Sequence, residues 1–136
     1  MNELKACSSQ GFNGLVTPSG YGFIYLCNAY PNCDARVTTH PGSIKPLGTL
    51  ADKELRRWRS LAHCKFDPLW QSGVFSSRQA AYKWLSKAMK LPLEKTHVAM
   101  FNLRQCQRAI TCVEVFTKSR RNVKTKMITR ILHLTE

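Results

Sequence analysis

Residues 41–61, PGSIKPLGTLADKELRRWRSL, mark the point at which the character of the chain changes. Two prolines and two glycines fall within residues 41–48, which is typical of a turn-rich connection. Thr49, followed three positions later by Asp52, forms a capping-box-like helix start with aspartate in place of glutamate. Apolar residues then recur at helical spacing. This stretch therefore predicts a hinge at 41–48 and a helix that begins at Thr49.

On the N-terminal side of the hinge, the sequence favours short strands joined by tight turns. Gly, Ser, Asn and aromatic residues dominate this part, and glycines punctuate short apolar runs such as 23–26. We predict a small β module, here called the knuckle, over residues 1–44.

On the C-terminal side, the periodicity predicts three helices. The first runs over 49–65 and stops before Pro68, the second is capped by Ser76 or Ser77 and ends near residue 90, and the third is capped by Asn102. The residues expected on the buried faces are Leu50, Leu55, Trp58 and Leu61, then Ala81, Trp84, Leu85, Ala88 and Met89, then Leu103, Cys106, Ile110 and Val113. These helices make a body over 45–117, followed by a basic C-terminal segment over 118–136 that the sequence leaves open as a strand, a short helix or a tail.

The net charge of +13 is concentrated in one part of the chain. Residues 1–44 are neutral overall, whereas the part from Lys45 onward holds nineteen of the 21 Lys and Arg residues and six of the eight acids. Such an excess repels itself and exceeds the net charge of about 2 to 8 that solubility asks of a small domain. It indicates a polyanion partner, and nucleic acid is the one we expect.

Two classes of protein are disfavoured by the composition. No run approaches the roughly 18 apolar residues of a membrane span, and the N-terminus lacks a signal-peptide pattern, so we expect no membrane partner and a cytoplasmic location. In that reducing compartment, closely spaced cysteines are more typical of metal ligands than of disulfides.

The phrase YGFIYLCNAYPNC at 21–33 is the sharpest local motif. Cys27 and Cys33 lie close enough, with a turn between them, for two thiolates to bind one zinc ion. The phrase resembles the second half of the zinc ribbon of bacterial type I topoisomerases, which binds single-stranded DNA.

A longer resemblance extends from about Cys7 to Ile110. It includes PLGTLAD at 46–52 and HCKFDPLW at 63–70, and it is similar to a family of small phage and prophage proteins described as a zinc-finger-containing domain of unknown function. The resemblance implies an α+β fold: a small N-terminal zinc-ribbon-like β knuckle followed by a three-helix body and the basic C-terminal segment.

The chain departs from the ribbon pattern at its first cysteine pair. Cys7 is present, but Gln10 stands where the second thiolate is expected, and glutamine is a poor zinc ligand. Three alternatives follow. His40 could join Cys7, Cys27 and Cys33 as the fourth ligand; the zinc site could be weak and open; or the ribbon could persist without metal.

The candidate nucleic-acid contacts combine aromatic rings of the knuckle with basic residues of the helices and the C-terminal segment. Exposed rings can stack on bases, and Arg and Lys neutralise phosphates. These residues are Tyr25, Tyr30, Arg56, Arg57, Arg104, Arg108, Arg120, Arg121, Lys124 and Lys126.

Catalysis is not expected, because the sequence offers no phosphate-binding glycine loop, spaced carboxylate pair or nucleophile–base pair. His63 and Cys64 are adjacent, and neighbouring helical residues do not face each other. We predict no small-molecule substrate. The alternative to nucleic-acid binding is a phage factor that docks on a host protein and inhibits or redirects it. The oligomeric state is not predicted.

Overall fold

The computed structural model describes residues 14–19 and 22–134 and has an α+β fold, which confirms the predicted class. The strands are β1 (Gly14–Ser19), β2 (Gly22–Cys27) and β3 (Arg36–Thr38). The helices are α1 (Lys53–Phe66), α2 (Pro68–Gln71), α3 (Arg78–Met89) and α4 (Leu103–Leu134), with 3-10 turns at Leu93–Lys95 and Val98–Met100.

The knuckle is a three-stranded antiparallel sheet in the order β1-β2-β3. Gly14 pairs with Cys27 at one end of the hairpin and Ser19 with Gly22 at the other, while β3 pairs with the middle of β2. Its small core consists of Cys27, Cys33, Ala35 and Leu50, with Tyr25 and Val37 packed against it.

The first helix begins later than Thr49, so that prediction was wrong. Asp52 is the N-cap and its carboxylate accepts a 2.8 Å hydrogen bond from the Leu55 N–H. Asp52 can cap in this way because its backbone is extended, whereas the preceding Ala51 is held in a β-bridge to Arg36. The helix ends at Phe66, before Pro68, as predicted.

The second predicted helix is confirmed as α3, with Ser77 as its cap. Ser77 Oγ accepts a 3.0 Å hydrogen bond from the Ala80 N–H. The sequence missed α2, a single turn that Pro68 opens, since proline lacks an N–H and its fixed φ suits a first helical position.

The body has one core, formed mainly by α1, α3 and α4. Phe66, Leu85, Phe101 and Cys106 have no exposed surface. Two residues expected to be buried, Leu61 and Ala88, are exposed, because the inward positions are occupied by their neighbours: Ala62 in α1 and Tyr82, Leu85 and Met89 in α3.

The third predicted helix is confirmed as α4, capped by Asn102. Asn102 Oδ1 accepts from the Gln105 N–H at 2.8 Å, and Gln105 Oε1 accepts from the Asn102 N–H at 2.9 Å. The helix continues through Leu134, so the C-terminal segment is neither a strand nor a separate tail. Its 32 residues span about 48 Å at 1.5 Å per residue.

Residues 118–134 of α4, here called the arm, extend beyond the body. Every side chain from Lys118 to His133 is exposed, whereas Val113 and Phe116 still contact the core. Within the described residues, no helix, the arm included, is long and apolar enough to cross a membrane.

Candidate functional site

Two arginines of α1 fix the knuckle against the body. Arg56 donates to the Asp34 carboxylate at 3.1 Å and to the Ala51 carbonyl at 2.8 Å. Arg59 donates to the carbonyls of Thr49 and Phe101, each at 2.9 Å. Burial lowers the pKa of Arg59 to about 10, so it remains charged at neutral pH.

These contacts between the knuckle and α1, here called the joint, also stabilise the charge of Asp34. Partial burial opposes its ionisation, but hydrogen bonds from the Lys53 N–H and the Arg56 guanidinium, together with the charges of Arg56 and Arg36, hold the pKa of this carboxyl below its usual value. Hydrogen bonds from Arg56 and Arg59 therefore hold the chain in place where the connection predicted as a hinge meets α1.

A groove runs across this joint, and its central cleft has a volume of about 840 Å³. The loop after β3, the C-terminal half of α1, the start of α3 and the second 3-10 turn each contribute to its wall. The central cleft shares Arg78, Tyr82 and His97 with one neighbouring cleft, and Leu47, His63 and Ala99 with another. We call these three adjoining clefts the basic groove.

The basic groove is lined by positive and imidazole side chains. No Asp or Glu of the described residues lines any of its three clefts. Its basic and imidazole residues are Arg36, His40, Lys45, Arg56, Arg59, His63, Arg78, Lys83 and His97. Concave surfaces of one sign concentrate counter-ions, so this groove favours an anionic ligand.

Tyr82 connects the groove to the core. It is almost fully buried, with its ring 4.7 Å from that of Phe66 and 5.1 Å from that of His97. The Arg78 guanidinium lies 5.6 Å from the Tyr82 ring centre. His63 is oriented by Asp67, whose carboxylate lies 3.2 Å from its Nδ1. The cleft thus has an aromatic wall, formed by Tyr82 and held by the core, with the Arg78 cation beside it.

The predicted metal ligands are only partly brought together. Cys27 and Cys33 are both buried in the knuckle core, and the Ala29 N–H donates to Cys27 Sγ at 3.4 Å. Such N–H···S contacts suit a thiolate, so this pair fits the zinc chemistry expected of it. Cys7 and Gln10 lie outside the described residues.

His40 is placed in the central cleft. Across the described part of the chain, no three His, Cys, Asp or Glu side chains come close enough to hold a metal ion. His40 therefore does not complete a three-residue cluster with Cys27 and Cys33. It instead forms a turn with Lys45, whose carbonyl accepts from the His40 N–H at 2.9 Å.

The two knuckle tyrosines lie in different environments. Tyr25 is half-buried and its hydroxyl donates to the Ile44 carbonyl at 3.0 Å, whereas Tyr30 is 56% exposed. Tyr30 is therefore the ring of the pair that has a surface to offer to a base.

The predicted basic contacts also differ in whether their side chains are exposed or already contact other groups of the protein. Arg57 and Arg104 are exposed, but Arg56 is engaged at the joint and Arg108 donates to the Met89 carbonyl at the end of α3, at 2.7 Å. On the arm, Arg121, Lys124 and Lys126 are exposed, and Arg120 lies 5.7 Å from the Phe116 ring centre.

Several groove residues were missed by sequence reasoning. Lys45, His63, Arg78, Lys83 and His97 were not predicted as contacts. They are separated by up to 52 positions in the chain, and no local pattern links them.

A family model described as a zinc-finger-containing domain matches residues 10–115. The match covers the knuckle sheet, the basic groove and all but the last two residues of the body, while Cys7 and the arm lie outside it. No curated protein and no solved structure matches the chain.

Proposed function

Since the chain belongs to the DUF3268 family of zinc-finger-containing domains, we propose that it binds nucleic acid and that its knuckle holds a zinc ion. The observation that carries the binding function is the arm. It has six basic residues and no acid, all exposed from Lys118 to His133 on one continuous helix. This surface attracts phosphates without sequence preference.

Binding through the arm has a measurable electrostatic signature. Each phosphate contact contributes about 0.7 to 0.9 to the slope of log affinity against log salt concentration. Neutralising three arm cations should therefore lower the slope by about 2. The arm variant changes Arg121, Lys124 and Lys126 to Gln.

A control variant removes the same charge from the body, at the exposed residues Lys87, Lys90 and Lys95. Fluorescence anisotropy with labelled oligonucleotides from 50 to 300 mM salt measures both variants. We expect the arm variant to have a smaller slope of log affinity against log salt concentration than the native protein. The slope of the body variant should differ from the native value by no more than about 1. Equal losses would show that the arm has no special role, and absence of binding at low salt would overturn the proposed function.

The zinc ion would be held by Cys27 and Cys33, with Cys7 as the predicted third thiolate. When bound, zinc would link the β2–β3 turn to the N-terminal residues, and its role would be structural. The elemental zinc content of Cys27→Ser and Cys33→Ser should fall well below that of the native protein. Cys112→Ser is the matched control, because Cys112 packs against the body core. The zinc content of His40→Ala tests whether His40 is the fourth ligand.

A phage factor that docks on an acidic host protein is the second candidate function. It is favoured by apolar residues of the arm that are more than half exposed, which phosphate binding does not need. They are Val123, Met127, Ile128, Ile131 and Leu132.

A host-protein complex should survive nuclease treatment and be lost on Met127→Ser with Ile128→Ser, while Thr129→Ser leaves it intact. Loss of every partner after nuclease treatment would contradict this second function. Under either function we propose a non-catalytic protein located in the cytoplasm, and the phage origin stays a prediction.

A further inference from the structure

The central cleft of the basic groove has the dimensions of a ligand site. Its volume of about 840 Å³ lies within the range of roughly 300 to 1,000 Å³ typical of small-ligand pockets. Its walls come from rigid parts: Tyr82 is packed on Phe66, and the Thr49 N–H donates to the Ala99 carbonyl at 3.1 Å. The cleft therefore exists before any ligand arrives.

Two cations at the cleft are available to an anion. Lys45 and Arg78 are exposed and form no ion pair with any carboxylate of the described residues. His40 and His63 line the same cleft as further hydrogen-bonding groups. The Asp67 carboxylate, which contacts His63 of this set, also accepts from the Trp70 indole at 3.3 Å. Cationic and imidazole donors such as these bind phosphate oxygens through charge-assisted hydrogen bonds.

The aromatic side of the cleft adds a surface for a flat ring. His97 is exposed, and its ring is supported from the core by the buried Tyr82 at 5.1 Å. Unpaired bases stack on aromatic side chains without sequence preference. Bases in a duplex are stacked on one another, so a base can enter this cleft only if it is unpaired.

We infer that the central cleft holds one unpaired nucleotide of single-stranded nucleic acid, with its phosphate at Lys45 and Arg78 and its base against His97. The two flanking clefts, which carry Arg36 at one end and Lys83 at the other, give the strand a way in and out. This inference rests on the proposed function and specifies which form of nucleic acid the groove selects.

The test compares single-stranded and duplex affinity in matched variants of α3. Arg78 and Lys87 are nine positions apart, so they project from opposite sides of the helix, and both are exposed. Arg78→Gln and Lys87→Gln each remove one positive charge. Their affinities are measured by anisotropy for a labelled 12-nucleotide oligothymidylate and for a blunt-ended duplex of equal phosphate number.

We expect Arg78→Gln to weaken single-strand binding about tenfold, as loss of a charge-assisted contact does, and to change duplex binding less than twofold. Lys87→Gln should change both less than twofold. His97→Ala should weaken single-strand binding about tenfold through lost stacking, without changing the salt slope.

Lys45→Gln is the second variant, because Lys45 lies on an exposed loop and its removal leaves α3 untouched. It should reproduce the selective loss of single-strand affinity. If Arg78→Gln and Lys45→Gln weaken both nucleic acids equally, or no more than Lys87→Gln does, the inference is wrong although the protein binds nucleic acid. If the native protein binds neither probe at 50 mM salt, the proposed function itself fails.

Discussion

Leu50 and Ala51 are consecutive residues whose side chains pack into two different hydrophobic cores. Leu50 is fully buried in the knuckle with Cys27 and Cys33, and Ala51 is 2% exposed in the helical body. Ala51 also exchanges backbone hydrogen bonds with Arg36 of β3, at 3.0 and 3.1 Å. Because one extended dipeptide belongs to both cores, the basic groove between the knuckle and the body has fixed walls.

Gly48 should tolerate no side chain. A Cβ at this position would collide with the backbone carbonyl of Ala99 in the second 3-10 turn. Gly48→Ala should therefore lower the free energy of unfolding by about 3 kcal/mol, the upper part of the range for overpacking. Urea unfolding followed by circular dichroism measures this loss.

Gly42→Ala is the control for Gly48. Gly42 has a φ of +70° but open space around a would-be Cβ. Its substitution should cost only about 1 kcal/mol of left-handed strain. A Gly48→Ala variant as stable as Gly42→Ala would contradict the close approach of the loop to Ala99.

Arg59 should contribute more to stability than its exposed neighbour on α1. Arg59→Ala would leave the carbonyls of Thr49 and Phe101 without their charged donor, and Phe101 is fully buried. We expect a loss of about 3 kcal/mol in the free energy of unfolding. Arg57→Ala should change it by less than about 0.5 kcal/mol. Similar losses in both would mean that Arg59 does not hold the joint.

The Asp34–Arg56 pair should make the stability of the joint depend on acid pH. The pKa of Asp34 is lower in the folded protein than its usual 3.8, so its stabilisation is present above that pH and is lost as the pH falls through the folded pKa. Unfolding of the native protein and Asp34→Asn in urea should differ by up to about 1 kcal/mol at pH 7.

At pH 2.5 that difference between the native protein and Asp34→Asn should shrink. Glu94→Gln, at an exposed 3-10 turn, should show no such pH-dependent difference. A difference that stays constant between pH 7 and pH 2.5 would exclude a role for the charge of Asp34.

Two cysteines of the body should differ sharply in reactivity. Burial raises the pKa of the Cys106 thiol to about 11, and the residue has no exposed surface, whereas Cys64 is exposed on α1. Since the thiolate is the reactive species, a maleimide at pH 8 should modify Cys64 in the native protein and Cys106 only after unfolding. Peptide mapping by mass spectrometry distinguishes the two. Equal modification in the native state would contradict the packing of α1 against α4.

Local chemistry was enough to predict three of the four helices of the body. Ser77 is one of the two caps that the sequence offered for α3, Asn102 is the cap it indicated for α4, and α1 ends before Pro68. Capping and proline geometry act over three or four residues, so they are visible in the sequence. The exact start of α1 was not visible, because it depends on the bridge between Ala51 and the distant Arg36.

The orientation of the arginines could not be predicted. Arg56, Arg57 and Arg59 look alike in the sequence, yet two of them hold the joint and one is exposed. The difference arises from acceptors on Asp34, Thr49 and Phe101, which the fold brings to one side of α1.

The sequence by itself determined the fold class, the helical periods, the thiol pair of the knuckle and the location of the charge excess after Lys45. Only the tertiary structure decided that α4 continues into a 17-residue arm and that Lys45, His63, Arg78 and His97 line one cleft. The physical reason is the distance along the chain between the residues that create each feature. Helix periods, caps and charge are properties of neighbouring residues, whereas a groove exists only when distant segments pack against one another.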